Sequence, residues 1–205
     1  MKKTLLILLT LILSGCVINI EETRQSDQIQ KEIIEPETFD QSDLNSTANF
    51  VLSALRNKNM MSLSKTIDED WLLFSPYAYI NTWSNIVLSA DQILSGDINQ
   101  QEYLRWIEGG SGEPLIMNFD KYLDSFVYDV DFLKLAEKHI NQNLSRANSI
   151  SNSALVFSWK TIIEYYVPWI DPIYEWLDRR SLSLVFDLDN WLWKLIAIIH
   201  NQRTP

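Results

Sequence analysis

Several residue types are scarce in this chain of 205 residues. It contains one cysteine, five glycines, six prolines and two histidines. One cysteine forms neither an internal disulfide nor a cysteine-rich metal site. The few glycines and prolines stand beside eight each of Trp, Tyr and Phe, and 46% of the residues are hydrophobic. This composition excludes a wholly disordered chain and predicts a domain with a sizeable core.

Positive charge is scarce as well. The chain has 17 Lys and Arg against 27 Asp and Glu, which gives a net charge of −10. Because this charge repels a phosphate backbone, we expect no nucleic-acid partner. The glycine-rich segment 109–114 is not followed by the Lys-Ser/Thr pair of a phosphate-binding loop. We therefore expect no cofactor.

The N-terminus carries a short apolar run. Met1-Lys2-Lys3 precedes Thr4–Leu13, whose ten residues span about 15 Å as a helix, or half of a ~30 Å bilayer core. A run of this length behind a basic start is typical of an export signal and not of a permanent membrane span. We predict a signal peptide over residues 1–15.

The segment Leu13-Ser14-Gly15-Cys16 resembles the lipobox of bacterial lipoproteins. The resemblance implies cleavage before Cys16, a diacylglycerol on its thiol, and the lipid bilayer as a partner. The alternative is an ordinary signal peptide with a cysteine nearby. Val17 stands where some Gram-negative lipoproteins carry the Asp that retains them in the inner membrane. The resemblance thus implies a cell-envelope location, in the outer membrane if the cell is Gram-negative and otherwise on the outer face of the plasma membrane.

Residues 16–46 differ from the rest of the mature chain in composition. They hold eight acidic residues, two basic ones and a single aromatic, Phe39. Such a segment buries too little apolar surface to offset its ordering entropy, and its like charges extend it. We predict a disordered tether over residues 16–46 and a folded domain over residues 47–205.

The first part of the folded domain is mainly helical by pattern. Ala48–Ile67 has apolar residues at spacings of three to five and predicts one or two helices, broken near Asn57–Asn59. Trp71–Ile80 favours β structure but contains a proline, which predicts an edge strand or a bend. Ser89–Ile107 is helical or irregular, and Asn118–Lys138 is helical in parts.

In the last third of the chain, apolar and polar residues alternate with the period of two that is typical of strands. We predict strands over residues 155–167 and 179–188, and a tight turn at Asp189-Asn190 leading into a strand over residues 191–201. The polar residues Glu164, Ser181 and Ser183 alternate with the apolar ones and so lie on the opposite face of the predicted strands. Helices followed by a meandering sheet predict an α+β fold, with N-terminal helices packed on a curved antiparallel sheet.

Five blocks of sequence, in this order, resemble a family of uncharacterised bacterial lipoproteins. They are Phe74–Tyr79, Gly110–Pro114, Phe126–Phe132, Ser181–Phe186 and Ile198–Pro205. The layout is similar to the cone of nuclear transport factor 2-like (cystatin-like) domains, which implies helices against a curved sheet and an open pocket. The family carries Trp where this chain has Arg203, so a role for an aromatic residue there does not transfer.

The candidates for acid/base chemistry are Asp129, Asp131 and His200. Asp129 or Asp131 paired with His200 or an Arg would form a catalytic set if burial moved a carboxyl pKa towards neutrality. The alternative is that both aspartates cap a helix or form a turn. Since the two histidines have no metal-ligand spacing, we expect no metal site.

Aromatic residues near chain breaks are candidates for a pocket lining, because an amphipathic ring suits a partly polar surface. The candidates are Tyr77, Tyr79 and Trp106. The alternative is that these rings belong to the core. Three Trp within the predicted strands are assigned to packing, namely Trp159, Trp191 and Trp193.

Two classes of function follow. One is a non-catalytic envelope module that binds a small apolar ligand or an envelope protein. The other is a pocket enzyme that uses acid/base chemistry, of the isomerase, dehydratase or cyclase type, on a small apolar substrate. The binding module is favoured because the sequence contains no complete catalytic motif.

Overall fold

The structure is a computed structural model that describes residues 39–68, 71–81, 85–95, 102–106, 114–142 and 150–202. The predicted signal peptide, Cys16 and most of the predicted tether lie outside these residues. Among the described residues, none of the helices combines the length and the hydropathy needed to cross a bilayer.

The helices are short, and side-chain caps start the longer ones. The α-helices in the described residues are α1 (Leu44–Arg56), α2 (Met60–Ser64), α3 (Ala90–Ser95), α4 (Phe119–Phe126), α5 (Phe132–Leu135) and α6 (Ser153–Val156). Asp43 accepts a hydrogen bond from the Ser46 amide at the start of α1, and Asn118 caps α4 in the same way. The break at residues 57–59 is confirmed, since it separates α1 from α2.

The fold starts earlier in the chain than residue 47. The helix α1 begins at Leu44, and the Phe39 ring stacks on Phe50 with the centroids 3.9 Å apart. The Gln41 carbonyl accepts a hydrogen bond from the Trp193 amide at 3.0 Å. Residues 39–46 therefore pack against the domain, although their composition resembles that of the acidic segment before them.

In the described part of the chain, eight strands form two sheets. The strands are β1 (Leu72–Ser75), β2 (Ile86–Leu88), β3 (Glu102–Trp106), β4 (Pro114–Asn118), β5 (Glu137–Ile140), β6 (Thr161–Val167), β7 (Arg180–Asp189) and β8 (Leu192–Gln202). The larger sheet has the open order β2-β1-β8-β7-β6-β5, and β3 pairs with β4 separately. The predicted α+β class is confirmed.

The hairpin of β7 and β8 is the part of the sheet that was predicted most closely. Its turn lies at Asn190 and Trp191, one residue later than predicted, and both have positive φ angles, 48° and 67°. Two positive φ angles are those of a type I′ turn, whose twist matches that of the strands. The ladder shifts register between Val185 and Phe186, where β8 contributes the extra residue Ile196.

The sheet is mixed, which corrects the predicted antiparallel one. The strand β1 pairs parallel with β8, with Phe74 opposite Ile198, and antiparallel with β2. It is therefore an inner strand, and the alternative of an edge strand was wrong. The alternative of a bend is confirmed, because β1 ends at Ser75, immediately before Pro76.

The strand predicted over residues 155–167 is only half as long in the structure. Residues 153–156 form α6, and β6 begins at Thr161. Trp159 lies between them with φ 69° and is 100% exposed, so its assignment to packing was wrong. Trp191 is 83% exposed and was also wrongly assigned, whereas Trp193 packs against the core.

The larger sheet has an apolar core on each face. One face meets α1, α2, α4 and α5 in the main core, where Leu184, Phe186 and Ile198 face Phe119 and Tyr122. The other face carries a smaller cluster of buried apolar residues. Its members are Leu73, Ile80, Phe157, Val185, Ile196, Ala197 and Ile199. We call these the helix face and the second face.

Candidate functional site

The predicted acid/base residues meet on the helix face, where they form an ion-pair cluster. Asp129 lies in the loop between α4 and α5, and its Oδ1 is 3.0 Å from Nε2 of His200 on β8. Its Oδ2 accepts a hydrogen bond from Nε of Arg180, at the start of β7, at 2.5 Å. The side chains of His200, Asp129 and Arg180 are 0%, 12% and 14% exposed.

The electrostatics of this cluster favour an ionised Asp129. Burial raises the pKa of its carboxyl group. The hydrogen bond and charge of His200 and the charge of Arg180 lower this pKa by more than burial raises it, so the pKa lies below its usual value. A carboxyl group that acts as a general acid needs a pKa that is raised towards neutrality. With Asp129 ionised, His200 donates through Nε2, and its buried Nδ1 has no hydrogen-bond partner among the described residues.

Asp131 belongs to a neighbouring surface pair and does not contact His200. Its carboxylate lies 3.1 Å from the Arg56 guanidinium and accepts a hydrogen bond from the Tyr128 hydroxyl at 3.2 Å. It occupies the N-cap position of α5 without a capping bond from its side chain. Asp131 thus lies at the helix end where a cap was predicted. Its side chain, however, contacts Arg56 and so links the α4–α5 loop to α1.

Two of the three aromatic candidates, Tyr77 and Tyr79, have side chains in the described part of the structure. The Tyr77 ring stands edge-on to Phe126 with the centroids 6.3 Å apart, on the side of the helices. Tyr79 is 51% exposed. Trp106 lies in β3, and its side chain is outside the described part.

A pocket opens instead on the second face of the sheet. Its volume is about 280 Å³, and the five predicted pocket residues whose side chains are described, all but Trp106, do not line it. Its lining combines serine hydroxyls, amides, one carboxylate and a few apolar groups. The lining residues are Ala78, Asn141, Gln142, Ser151, Ser153, Ala154, Phe157, Trp159, Lys160, Ile162, Glu164, Ser181, Ser183, Ile199 and Asn201.

The floor of the pocket is a grid of side chains from β6, β7 and β8. Glu164 pairs with Ser183, and Ser183 pairs with Ile199, so these three form one row across the strands. Ser181 pairs with Asn201 in the next row. The Ser181 hydroxyl donates to Glu164 at 2.9 Å and links the two rows. A half-buried carboxylate thus stands on the floor beside two hydroxyl groups of β7.

The wall of the pocket is the segment 150–160, which two anchors fix. The Asn152 side chain accepts from the Ile80 amide at 2.7 Å and donates to the Ile80 carbonyl at 3.0 Å. Phe157 is 7% exposed and packs in the second-face cluster. Ser151 and Ser153, on either side of Asn152, line the pocket.

The mouth of the pocket is formed by Trp159 and Lys160. The Lys160 ammonium lies 2.5 Å from the Asp187 carboxylate on β7, which compensates its charge. Because Trp159 is fully exposed, its indole has no apolar neighbour in the domain.

The sequence did contain a signal for the floor. Glu164, Ser181 and Ser183 were recognised as one parity of the two strands, and a polar parity normally faces water. These polar side chains line a pocket because the wall, segment 150–160, packs beside them. Within the described residues, no group of three His, Cys, Asp or Glu side chains is arranged to hold a metal ion.

The substitution Asp129→Asn tests the role of the ion-pair cluster. A carboxylate with a lowered pKa stabilises the fold above its unfolded pKa of about 3.9, and this stability is lost as the pH falls through the folded pKa. We expect a loss of roughly 3 kcal/mol in the free energy of unfolding at pH 7, because Arg180 is left buried without its partner. Urea unfolding at pH 7 and about pH 3 should show the difference from wild type shrinking in acid.

The matched control is Asp131→Asn, whose partner Arg56 has a 53% exposed side chain. We expect it to cost below about 1 kcal/mol. Equal losses for the two variants at pH 7, or a loss for Asp129→Asn that does not depend on pH, would contradict the structural role of the cluster.

Comparison of the chain with protein-family models, with curated proteins and with solved structures finds no match.

Proposed function

We propose that this protein is a lipid-anchored module of the bacterial cell envelope whose domain binds a small ligand on the second face of its sheet. The anchor is supported by the resemblance of Leu13–Cys16 to a lipobox and by the acidic segment after it, which suits a spacer. Two or three acyl chains on Cys16 would hold the protein durably, since each buried CH₂ contributes about 0.8 kcal/mol.

The pocket is the observation that carries the binding function. Its volume of about 280 Å³ is close to the lower end of the range for small-molecule sites, about 300–1,000 Å³. It joins polar side chains on the floor to apolar groups from Phe157, Ile162 and Ile199. A few converging polar groups beside apolar surface are typical of a site that orients a small molecule. The polar floor favours a ligand more polar than the apolar one expected from the sequence.

Binding is favoured over acid/base catalysis because the two features of an enzyme site are separated. Asp129 and His200 contact each other on the helix face, and neither lines the pocket. The lowered pKa of Asp129 keeps its carboxylate ionised. The cluster and the pocket thus consist of different residues, which supports binding at the pocket over acid/base catalysis there.

We also propose that the domain has a cone-like fold. Helices against one face of an open sheet support the similarity to nuclear transport factor 2-like domains. The parallel β1–β8 ladder departs from an antiparallel cone, and the pocket lies on the face opposite to the main helices.

The substitution Cys16→Ser tests the anchor. Without the thiol no diacylglycerol is attached, and we expect the signal to remain uncleaved and lipid labelling to be lost. Growth with a labelled fatty acid, followed by mass spectrometry of the N-terminal peptide, measures both effects. The control is Ser14→Ala, which keeps a small residue before Cys16 and is expected to label normally. A lipid that remains on the Cys16→Ser protein would refute the anchor.

A pocket-filling variant tests the binding function. A thermal-shift screen of sugars, amino acids, amines, carboxylates and nucleosides is run on wild type, Ser183→Phe and Ser158→Phe. We expect at least one compound to raise the Tm of wild type, since a ligand at 100 times its Kd adds about 2.7 kcal/mol. The shift should vanish in Ser183→Phe, where the ring fills the floor, and persist in Ser158→Phe, whose site is exposed outside the pocket. Absence of any shift, or an equal shift in Ser183→Phe, would refute this function.

A further inference from the structure

Trp159 is a bulky residue in the third position of a turn, in which the Lys160 amide donates to the Phe157 carbonyl at 3.1 Å. Its φ angle is 69°, in the left-handed region that bulky residues avoid, and its side chain is 100% exposed. Such a backbone conformation costs on the order of 1–3 kcal/mol. The indole recovers none of this cost by burial within the domain. A strained backbone that presents a large ring to solvent points to a role in binding.

The position of Trp159 identifies what it would contact. The residue lines the mouth of the pocket, at the end of the wall that Asn152 and Phe157 anchor. The anchors fix the wall from which Trp159 extends beside the pocket. A flat apolar face of a molecule in the pocket would lie against the indole.

The rest of the lining excludes several ligand classes. A fatty acyl chain would cover the Glu164 carboxylate and the amides of the lining without offering them hydrogen bonds. A phosphate would meet the Glu164 carboxylate, and the one Lys or Arg among the described lining residues, Lys160, is already paired with Asp187. The four serine hydroxyls and three amides supply both donors and acceptors without net charge.

We propose that the pocket binds a neutral saccharide. One sugar ring presents an apolar C–H face to Trp159, while its hydroxyl groups exchange hydrogen bonds with Glu164, Ser183 and Asn201 on the floor. The volume of about 280 Å³ suits one ring and not a long chain. This assignment rests on the proposed binding function and names its ligand class.

The test is calorimetric titration of the full chain in a zwitterionic detergent without sugar head groups. The probes are glucose, galactose, N-acetylglucosamine and its β-linked disaccharide, and the comparison ligands are octanoate, inorganic phosphate and ethanolamine. We expect at least one saccharide to bind saturably. Trp159→Ala should weaken its binding about tenfold or more, and Trp159→Phe, which retains a ring, by less than threefold.

The matched control is Trp191→Ala. Trp191 is also a highly exposed tryptophan with a positive φ angle, 67°, but it lies in the β7–β8 turn and does not line the pocket. We expect this variant to bind the saccharide with unchanged affinity. Because Trp159 is fully exposed, its replacement leaves the packed core intact.

Three results would overturn the saccharide assignment. In the first, a comparison ligand binds and Ser183→Phe blocks it while no saccharide binds; the proposed binding function then survives. In the second, a saccharide binds wild type and Trp159→Ala equally well. In the third, none of these probes binds, and the wider thermal-shift screen then decides the binding function independently.

Discussion

The β7–β8 ladder sets the register on which the rest of the structure depends. Leu182 pairs with His200 on the helix face, and Ser181 pairs with Asn201 on the second face. A slip of one residue would move every one of these side chains to the other face. The two-residue turn at Asn190 and Trp191 and the extra residue at Ile196 fix this register. The ladder therefore determines both what the helices cover and what lines the pocket.

The two faces of the sheet carry an ion-pair cluster on one side and, on the other, the pocket for which we propose ligand binding. On the helix face, Arg180 and His200 of adjacent strands converge on Asp129 and tie the α4–α5 loop to the sheet. On the second face, the neighbouring residues Ser181 and Asn201 line an open pocket. Residues adjacent in sequence thus have different roles because strand alternation points them to opposite sides.

Local patterns could be predicted from the sequence, and contacts between distant segments could not. The hairpin and the break after α1 depend on neighbouring residues, and both were predicted. The parallel pairing of β1 with β8 joins residues more than a hundred positions apart, and no local pattern encodes it. Residues 155–159 continue the parity of β6 by coincidence, which misplaced Trp159 in a strand. Asp129 was predicted to pair with His200 or an Arg, but the lowered pKa of its carboxyl group depends on His200 and Arg180 together, which tertiary packing brings to it.

The most direct test of the two-faced sheet is the thiol reactivity of neighbouring cysteines in β7. In a Cys16→Ser background the chain has no other cysteine, so Ser183→Cys and Leu184→Cys each carry one thiol. Ser183 lines the pocket and Leu184 is 0% exposed in the main core. The structure predicts that a small thiol reagent modifies Cys at position 183 in the native protein and modifies Cys at position 184 only after unfolding in urea. Equal reactivity of the two thiols, or the reverse order, would contradict the assignment of the faces and the pocket built on it.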